Sequence, residues 1–259
     1  MKWFSRLAAL AMVILALPSW AKVVEQQLTL PDGLGSAVLY SNDQLKKPGP
    51  GVVVIHEWWG LNAYAKGRAK ALAKLGYTSI AVDMYGTGKV ADHPKDAQAF
   101  MEAAMREPDK MNARFDAAMA ILKAQPNVDG ARIYAIGYCF GGGVVLNQAR
   151  MGKALAGVAS FHGSLGSSIQ AEKGKLKAKL LVATGGADPF NPPQVVSAFV
   201  KEMMDAGADL DLRVYPGAMH SFTNPGSTAL GKQFDMPLAY DEAADKDSWA
   251  ALLRMLKGR

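Results

Sequence analysis

The chain has 259 residues, a formal net charge of +6 and one cysteine. A single cysteine excludes an internal disulfide, and four histidines without a close histidine or cysteine partner do not make a metal site. The basic excess is modest. Its densest run, at residues 173–179, has no interleaved aromatic side chains, which argues against a nucleic-acid surface. We therefore expect a protein that works without a metal, a cofactor or a nucleic-acid partner.

The first 21 residues have the pattern of a secretory signal peptide. Lys2 and Arg6 precede an apolar stretch at residues 7–17, and the small residues Ser19 and Ala21 suit a cleavage site. The apolar stretch is shorter than the about 20 residues that cross a bilayer. We expect cleavage after Ala21, a mature chain of residues 22–259, and export to the periplasm with no membrane span remaining. The alternative is an uncleaved anchor.

Predicted strands and helices alternate along residues 22–259. Residues 23–30 and 37–40 are expected to pair antiparallel at one sheet edge. Apolar runs then predict strands, and periodic stretches that end at glycine or proline predict helices. In chain order these are strand 52–55, helix 63–75, strand 78–82, helices 95–106 and 112–123, strand 132–136, helix 144–150, strands 157–161 and 179–184, helix 194–205, strand 210–215 and helix 242–256. The pattern is typical of one α/β domain, a mostly parallel sheet with helices on both faces.

The single cysteine lies where a strand turns sharply into a helix. The sequence Gly137-Tyr138-Cys139-Phe140-Gly141 follows a predicted strand and precedes a predicted helix, which is the layout of a nucleophile elbow. A β-carbon at Gly137 or Gly141 is expected to collide with neighbouring backbone, and the helix N-terminus favours a thiolate at Cys139. The alternative is a small buried hydrophobic residue without chemistry.

An acid and a base follow the cysteine in the chain, each after a predicted strand. Asp188 comes after residues 179–184, and His220 comes after residues 210–215. The order nucleophile, acid, base is that of α/β-hydrolases, in which the histidine takes the thiol proton and the carboxylate orients the histidine. Singly, each residue could belong to an ordinary turn. Asp83 also ends a strand but precedes the nucleophile, so it is a secondary candidate.

The motif His56-Glu57-Trp58-Trp59-Gly60 follows the strand at residues 52–55. This position supplies one oxyanion-hole amide in the predicted architecture, so the backbone N–H groups of Trp58 and Phe140 are the candidate donors. Glu57 is expected to point its carboxylate into the same cavity, because a buried glutamate needs a partner or a function. The alternative is a surface glutamate. The candidate substrate-binding residues are Trp59, Tyr85, Ser221 and Phe222.

Other histidines and glycines are expected to have no chemical role. His56 and His93 are predicted to be structural, and His162 either lines the pocket or packs at the end of a strand. Residues 86–91 match a dinucleotide-binding pattern formally, but the sequence Asp92-His93-Pro94 separates them from the next helix.

Taken together, these motifs resemble the dienelactone hydrolase family of α/β-hydrolases over about residues 23–258. The matching pieces are residues 56–60, 83–86 and 137–142, Asp188, and residues 220–222. The resemblance implies a triad of Cys139, His220 and Asp188, with Glu57 helping to deprotonate the thiol. It also implies opening of an enol-lactone through an acyl-thiol intermediate.

The chain departs from this family at two positions. Family members that act on dienelactone bind the substrate carboxylate with two arginines, where this chain has Thr87 and Asn224. A bidentate clamp is therefore not supported, unless Lys89 or Arg68 substitutes. The sequence predicts a cysteine-dependent hydrolase of small esters or enol-lactones, and leaves its native substrate and oligomeric state open. The alternatives are a non-catalytic binding protein for small molecules and a thiol redox sensor.

Overall fold

A computed structural model of the protein describes residues 22–44, 47–86 and 88–258. The predicted signal peptide and Thr87 lie outside these residues. None of the helices in the described ranges has the length and apolar character needed to cross a membrane.

The described residues form one eight-stranded sheet in the spatial order β1-β2-β4-β3-β5-β6-β7-β8. Its strands are β1 (Val23–Leu30), β2 (Gly35–Asn42), β3 (Gly49–Ile55), β4 (Thr78–Val82), β5 (Val128–Tyr138), β6 (Gly157–Phe161), β7 (Lys179–Gly185) and β8 (Leu210–Tyr215). Strand β2 pairs antiparallel with both β1 and β4, and every other pairing is parallel. The predicted fold class and the antiparallel edge pair are confirmed.

Helices cover both faces of the sheet. They are α1 (Ala63–Lys74), α2 (Pro94–Met105), α3 (Pro108–Lys123), α4 (Phe140–Arg150), α5 (Pro193–Ala206), α6 (Ser227–Phe234) and α7 (Glu242–Leu256). One core contains apolar side chains of α3, α4 and α5, and a second core contains those of α1 and α7. Strand β3 contributes Val53 and Ile55 to the first core and Val52 and Val54 to the second, as expected of a strand buried on both faces.

Two predicted helix starts are wrong by one turn. The sequence pattern predicts a helix from residue 112, but Pro108 opens α3, where its fixed φ and missing N–H are tolerated. Helix α4 begins at Phe140 rather than at residue 144, so it includes three glycines. The sequence pattern also predicted no helix at the position of α6, which is short and contains Gly231. A β-carbon at Gly231 would lie 2.3 Å from the carbonyl oxygen of Leu238.

Candidate active site

The cysteine sits in a strained turn between β5 and α4. Cys139 has φ 53° and ψ −117°, a conformation that non-glycine residues adopt at a cost of about 1–3 kcal/mol. A β-carbon at Gly137 would lie 2.0 Å from the carbonyl oxygen of Gly141, and one at Gly141 would lie 2.5 Å from that of Ile55. The steric requirement predicted for both glycines is confirmed. The thiol of Cys139 is free and half-buried at the N-terminus of α4.

His220 lies between the cysteine and a buried carboxylate. Its Nδ1 is 2.8 Å from Oδ2 of Asp188, and Cys139 lies near enough for its charge to raise the pKa of the ring. Because Asp188 also accepts the backbone N–H of Phe190 at 2.9 Å, its carboxylate is held as an acceptor. Burial lowers the pKa of His220, but the charge of Cys139 and the hydrogen bond to Asp188 outweigh burial, so the pKa rises to about 10. The ring is therefore equipped to hold a proton taken from sulfur.

The Glu57 carboxylate is almost fully buried, with 2% of its surface exposed. The hydroxyl of Ser221 donates to Oε1, and Nδ2 of Asn224 donates to Oε2 at 2.7 Å. Burial raises the pKa of Glu57, and the hydrogen bonds from Ser221 and Asn224 oppose that rise only in part. The alternative of a surface glutamate is wrong. Ser221, predicted as a substrate contact, is a buried partner of Glu57.

The two candidate oxyanion donors are the backbone amides of Trp58 and Phe140. Within the described ranges, neither N–H group donates to a protein acceptor. The carbonyl of Trp58 accepts the hydroxyl of Tyr85 at 3.0 Å, and the ring of Tyr85 lies 5.4 Å from that of Phe140. Tyr85 thus joins the two segments that carry these amides.

The aromatic side chains near the candidate site differ in how deeply they are buried. Trp58 is half-buried, and Trp59 is buried against it with ring centroids 5.1 Å apart. Phe222 is fully buried and packs on His162 and Tyr215, so it offers no exposed surface for the substrate contact predicted for it. The preceding residue, Ser221, has a left-handed backbone with φ 60°.

Sequence reasoning missed Phe190, which is 53% exposed. Its ring meets the ring of His220 edge-on at 4.8 Å, so it covers one side of the candidate base. The only available signal was its position two residues after Asp188.

A hydrogen-bond chain behind the cysteine involves a second buried histidine. Nδ1 of His162 accepts the backbone N–H of Cys139 at 3.2 Å, so Nε2 carries the proton and donates to Oγ1 of Thr223 at 2.7 Å. Oγ1 of Thr223 lies 2.6 Å from the hydroxyl of Tyr64. His162 is fully buried, and burial holds its pKa well below its usual range. It packs at the strand end, the second of its two predicted alternatives.

Neither candidate substitute for the missing arginines is placed as a carboxylate clamp. The guanidinium of Arg68 bonds to Asp245 at 2.5 Å and to the backbone carbonyl of Thr223. The ammonium of Lys89 lies 5.7 Å from the ring centroid of Phe100. The guanidinium of Arg68 is therefore already paired, and Asn224 is an uncharged residue that donates a hydrogen bond to Glu57.

The side chains of Asp83 and His93 accept hydrogen bonds from backbone N–H groups. Asp83 accepts the N–H of Tyr85 at 2.9 Å, and His93 accepts the N–H of Lys95 at 3.2 Å at the start of α2. The described residues contain no group of three histidine, cysteine, aspartate or glutamate side chains arranged to hold a metal ion.

Comparison with known proteins relates the chain to one family. A model of the dienelactone hydrolase family matches residues 36–258. The chain is 28% identical over 214 residues to Protein usf of Aquifex pyrophilus, covering 81% of this chain and 88% of that protein. It is 30% identical over 185 residues to the "Putative carboxymethylenebutenolidase" of Methylorubrum extorquens, covering 68% of this chain and 64% of that protein.

Solved structures are similar over nearly the whole described chain. The structure named m3DLH has a TM-score of 0.83 and 33% identity, covering 93% of this chain and 99% of its own. A dienelactone hydrolase-like promiscuous phosphotriesterase, P91 from metagenomic libraries, has a TM-score of 0.80 and 30% identity, covering 91% of this chain and 98% of its own.

Proposed function

Since the chain belongs to the dienelactone hydrolase family and is a hydrolase of lactones or esters, we propose that Cys139 is its nucleophile, with His220 as the base and Asp188 as the residue that orients it. The observation that carries this proposal is the hydrogen bond of His220 to the buried Asp188, beside Cys139 in the strained turn before α4.

In the proposed first half-reaction, His220 takes the proton of Cys139 and the sulfur forms a bond to the substrate carbonyl carbon. The carbonyl oxygen becomes an oxyanion, which the amides of Trp58 and Phe140 would bind. When this intermediate collapses, the carbon–oxygen bond to the leaving group breaks. His220 returns the proton to the leaving oxygen, and an acyl-thiol remains.

The second half-reaction restores the thiol. His220 takes a proton from water while the water oxygen bonds to the acyl carbon. The carbon–sulfur bond then breaks, the carboxylic acid leaves, and the proton on His220 returns to Cys139. Glu57 is proposed as a second proton acceptor for the thiol, because burial raises its pKa and makes it a better base.

The proposed substrates are neutral esters or lactones with an apolar or aromatic acyl group. Asn224 supplies no positive charge beside Glu57, and Arg68 is bound to Asp245. The half-buried Trp58, together with the exposed Phe190 over His220, presents aromatic surface near the candidate nucleophile. These features favour apolar recognition over a carboxylate clamp.

The proposed compartment is the periplasm, after removal of residues 1–21. Mass spectrometry of the protein from a secreting host tests this: a mature chain beginning at Lys22 supports export, and an intact N-terminus in the cytoplasm contradicts it.

The function is tested with residues 22–259, a panel of chromogenic esters, an enol-lactone and a phosphotriester, with Cys139→Ala as the matched variant. Turnover by the wild type that the variant loses supports the proposal. Turnover that survives in Cys139→Ala excludes Cys139 as the nucleophile. Ligand binding without turnover favours a binding protein. A stable sulfenic acid formed with peroxide, again without turnover, favours a redox sensor.

A further inference from the structure

The ring of His56 makes two hydrogen bonds that fix its protonation. His56 follows β3, is fully buried, and packs between the rings of Tyr85 and Phe140 at 4.8 and 5.9 Å. The backbone N–H of Met84 donates to Nε2 at 3.0 Å, so Nε2 carries no proton. Nδ1 therefore carries it, and donates to the carbonyl oxygen of Glu57 at 2.5 Å.

This carbonyl belongs to the peptide group that carries a candidate oxyanion donor. The oxygen of Glu57 and the N–H of Trp58 lie in one planar unit and point in opposite directions. The N–H of Gly60 bonds to the same oxygen at 3.1 Å. Fixing the oxygen therefore fixes the direction in which the N–H of Trp58 points.

His56 also contacts the segment of the second donor. Its own carbonyl oxygen accepts the N–H of Gly141 at 3.1 Å, directly after Phe140. The residue thus joins both backbone segments whose amides would hold the oxyanion.

We propose, building on the function proposed above, that His56 is a positioning residue that aims the Trp58 amide at the oxyanion of the transition state. The role needs a neutral ring that donates at Nδ1 and accepts at Nε2 simultaneously. Burial keeps the ring neutral, since it lowers the pKa of His56 to about 4. Oxyanion donors act only when aimed at the oxygen of the transition state, and a displacement of about 1 Å costs about 100-fold in rate.

Two substitutions test the roles of the two ring nitrogens of His56 separately. The amide nitrogen of asparagine lies near the position of Nδ1, so His56→Asn keeps a donor for the Glu57 carbonyl. The longer glutamine side chain places its amide near the position of Nε2, so His56→Gln keeps a partner for Met84 and loses the bond to Glu57. Leu72→Ala, at a fully buried position in α1, controls for a general loss of stability.

The experiment compares two reactions of Cys139 in each purified protein. Ester hydrolysis needs the oxyanion donors, whereas alkylation by iodoacetamide needs only the thiolate. We expect His56→Gln to lower kcat about 10- to 100-fold with KM changed less than about threefold, and alkylation to keep its wild-type rate within about twofold. We expect His56→Asn to stay within about threefold of the wild-type kcat, and Leu72→Ala to keep kcat at a temperature below its Tm.

Three results would overturn the proposal: a wild-type kcat in His56→Gln, an equal loss in His56→Asn and His56→Gln, or alkylation that falls in parallel with hydrolysis. If His56→Gln does not fold, the ring nitrogens of His56 in the wild type are observed by ¹⁵N NMR, and a proton on Nε2 refutes the idea. If the wild type hydrolyses no ester at all, the proposed function itself is refuted. If the wild type is active, Cys139→Ala is inactive and His56→Gln keeps the wild-type kcat, the proposed function stands and only this inference is refuted.

Discussion

Replacing His56 by asparagine should make the stability of the protein less dependent on pH between about 4 and 6.5. Burial lowers the pKa of His56 from 6.5 to about 4, so in this range the folded protein keeps a neutral ring while the unfolded chain binds a proton. The free energy of unfolding therefore falls as the pH falls through this window. Each pH unit removes about 1.4 kcal/mol, which gives a loss of about 2 kcal/mol at pH 5.

The assay is urea unfolding of the wild type and His56→Asn at pH 7 and pH 5. Other titrating groups are present in both proteins, so they cancel in the difference between the two free energies of unfolding. That difference should shrink by about 2 kcal/mol between pH 7 and pH 5. His93→Asn, at an exposed histidine, controls for the change of residue type. If wild type and His56→Asn lose stability in parallel, the buried neutral ring is refuted, and with it the hydrogen-bond argument for the Trp58 amide.

Gly137→Ala should lower the free energy of unfolding by more than about 2 kcal/mol, because its β-carbon would lie 2.0 Å from the carbonyl oxygen of Gly141. In the control Gly130→Ala the β-carbon meets its nearest neighbour at 3.8 Å, and equal urea midpoints of the two variants would contradict the steric argument. Asn224→Leu removes a hydrogen bond that lowers the pKa of Glu57, so that pKa should rise further. The acidic limb of the kcat/KM profile should then move to higher pH, and an unmoved limb would exclude Glu57 as a base.

The sequence predicted those parts of the fold that depend on local pattern. A continuous apolar run predicted β3, and a short, mostly apolar run predicted β6, because strands buried on both faces need no polar alternation. Helix α6 was not predicted because eight residues with an internal glycine carry little periodic signal, and Gly231 is required by the close approach of the Leu238 carbonyl, which no local pattern shows. Helix α4 begins one turn before its prediction because the packing of Gly141 against β3 outweighs the low helix propensity of glycine.

The candidate site was predictable where a residue type, a strand end and chain order coincided, as for Cys139 and His220. The residues that hydrogen-bond behind the cysteine could not be predicted in this way. His162 and Thr223 are 61 residues apart, and Tyr64 and Thr223 are 159 residues apart. No local pattern marks such pairs, because only the arrangement of parallel strands brings their loops to one edge of the sheet.

The bond between Asn224 and Glu57 has a consequence for what happens after the reaction. Hydrolysis of a neutral ester of the kind proposed above produces a carboxylate, so the product carries a negative charge that the substrate lacked. Asn224 holds the Glu57 carboxyl by its amide without adding a positive charge. A second negative charge near a buried carboxyl group is unfavourable, because each charge opposes ionisation of the other group. On the proposed mechanism, we expect the acid product to bind more weakly than the ester from which it came, which favours its release.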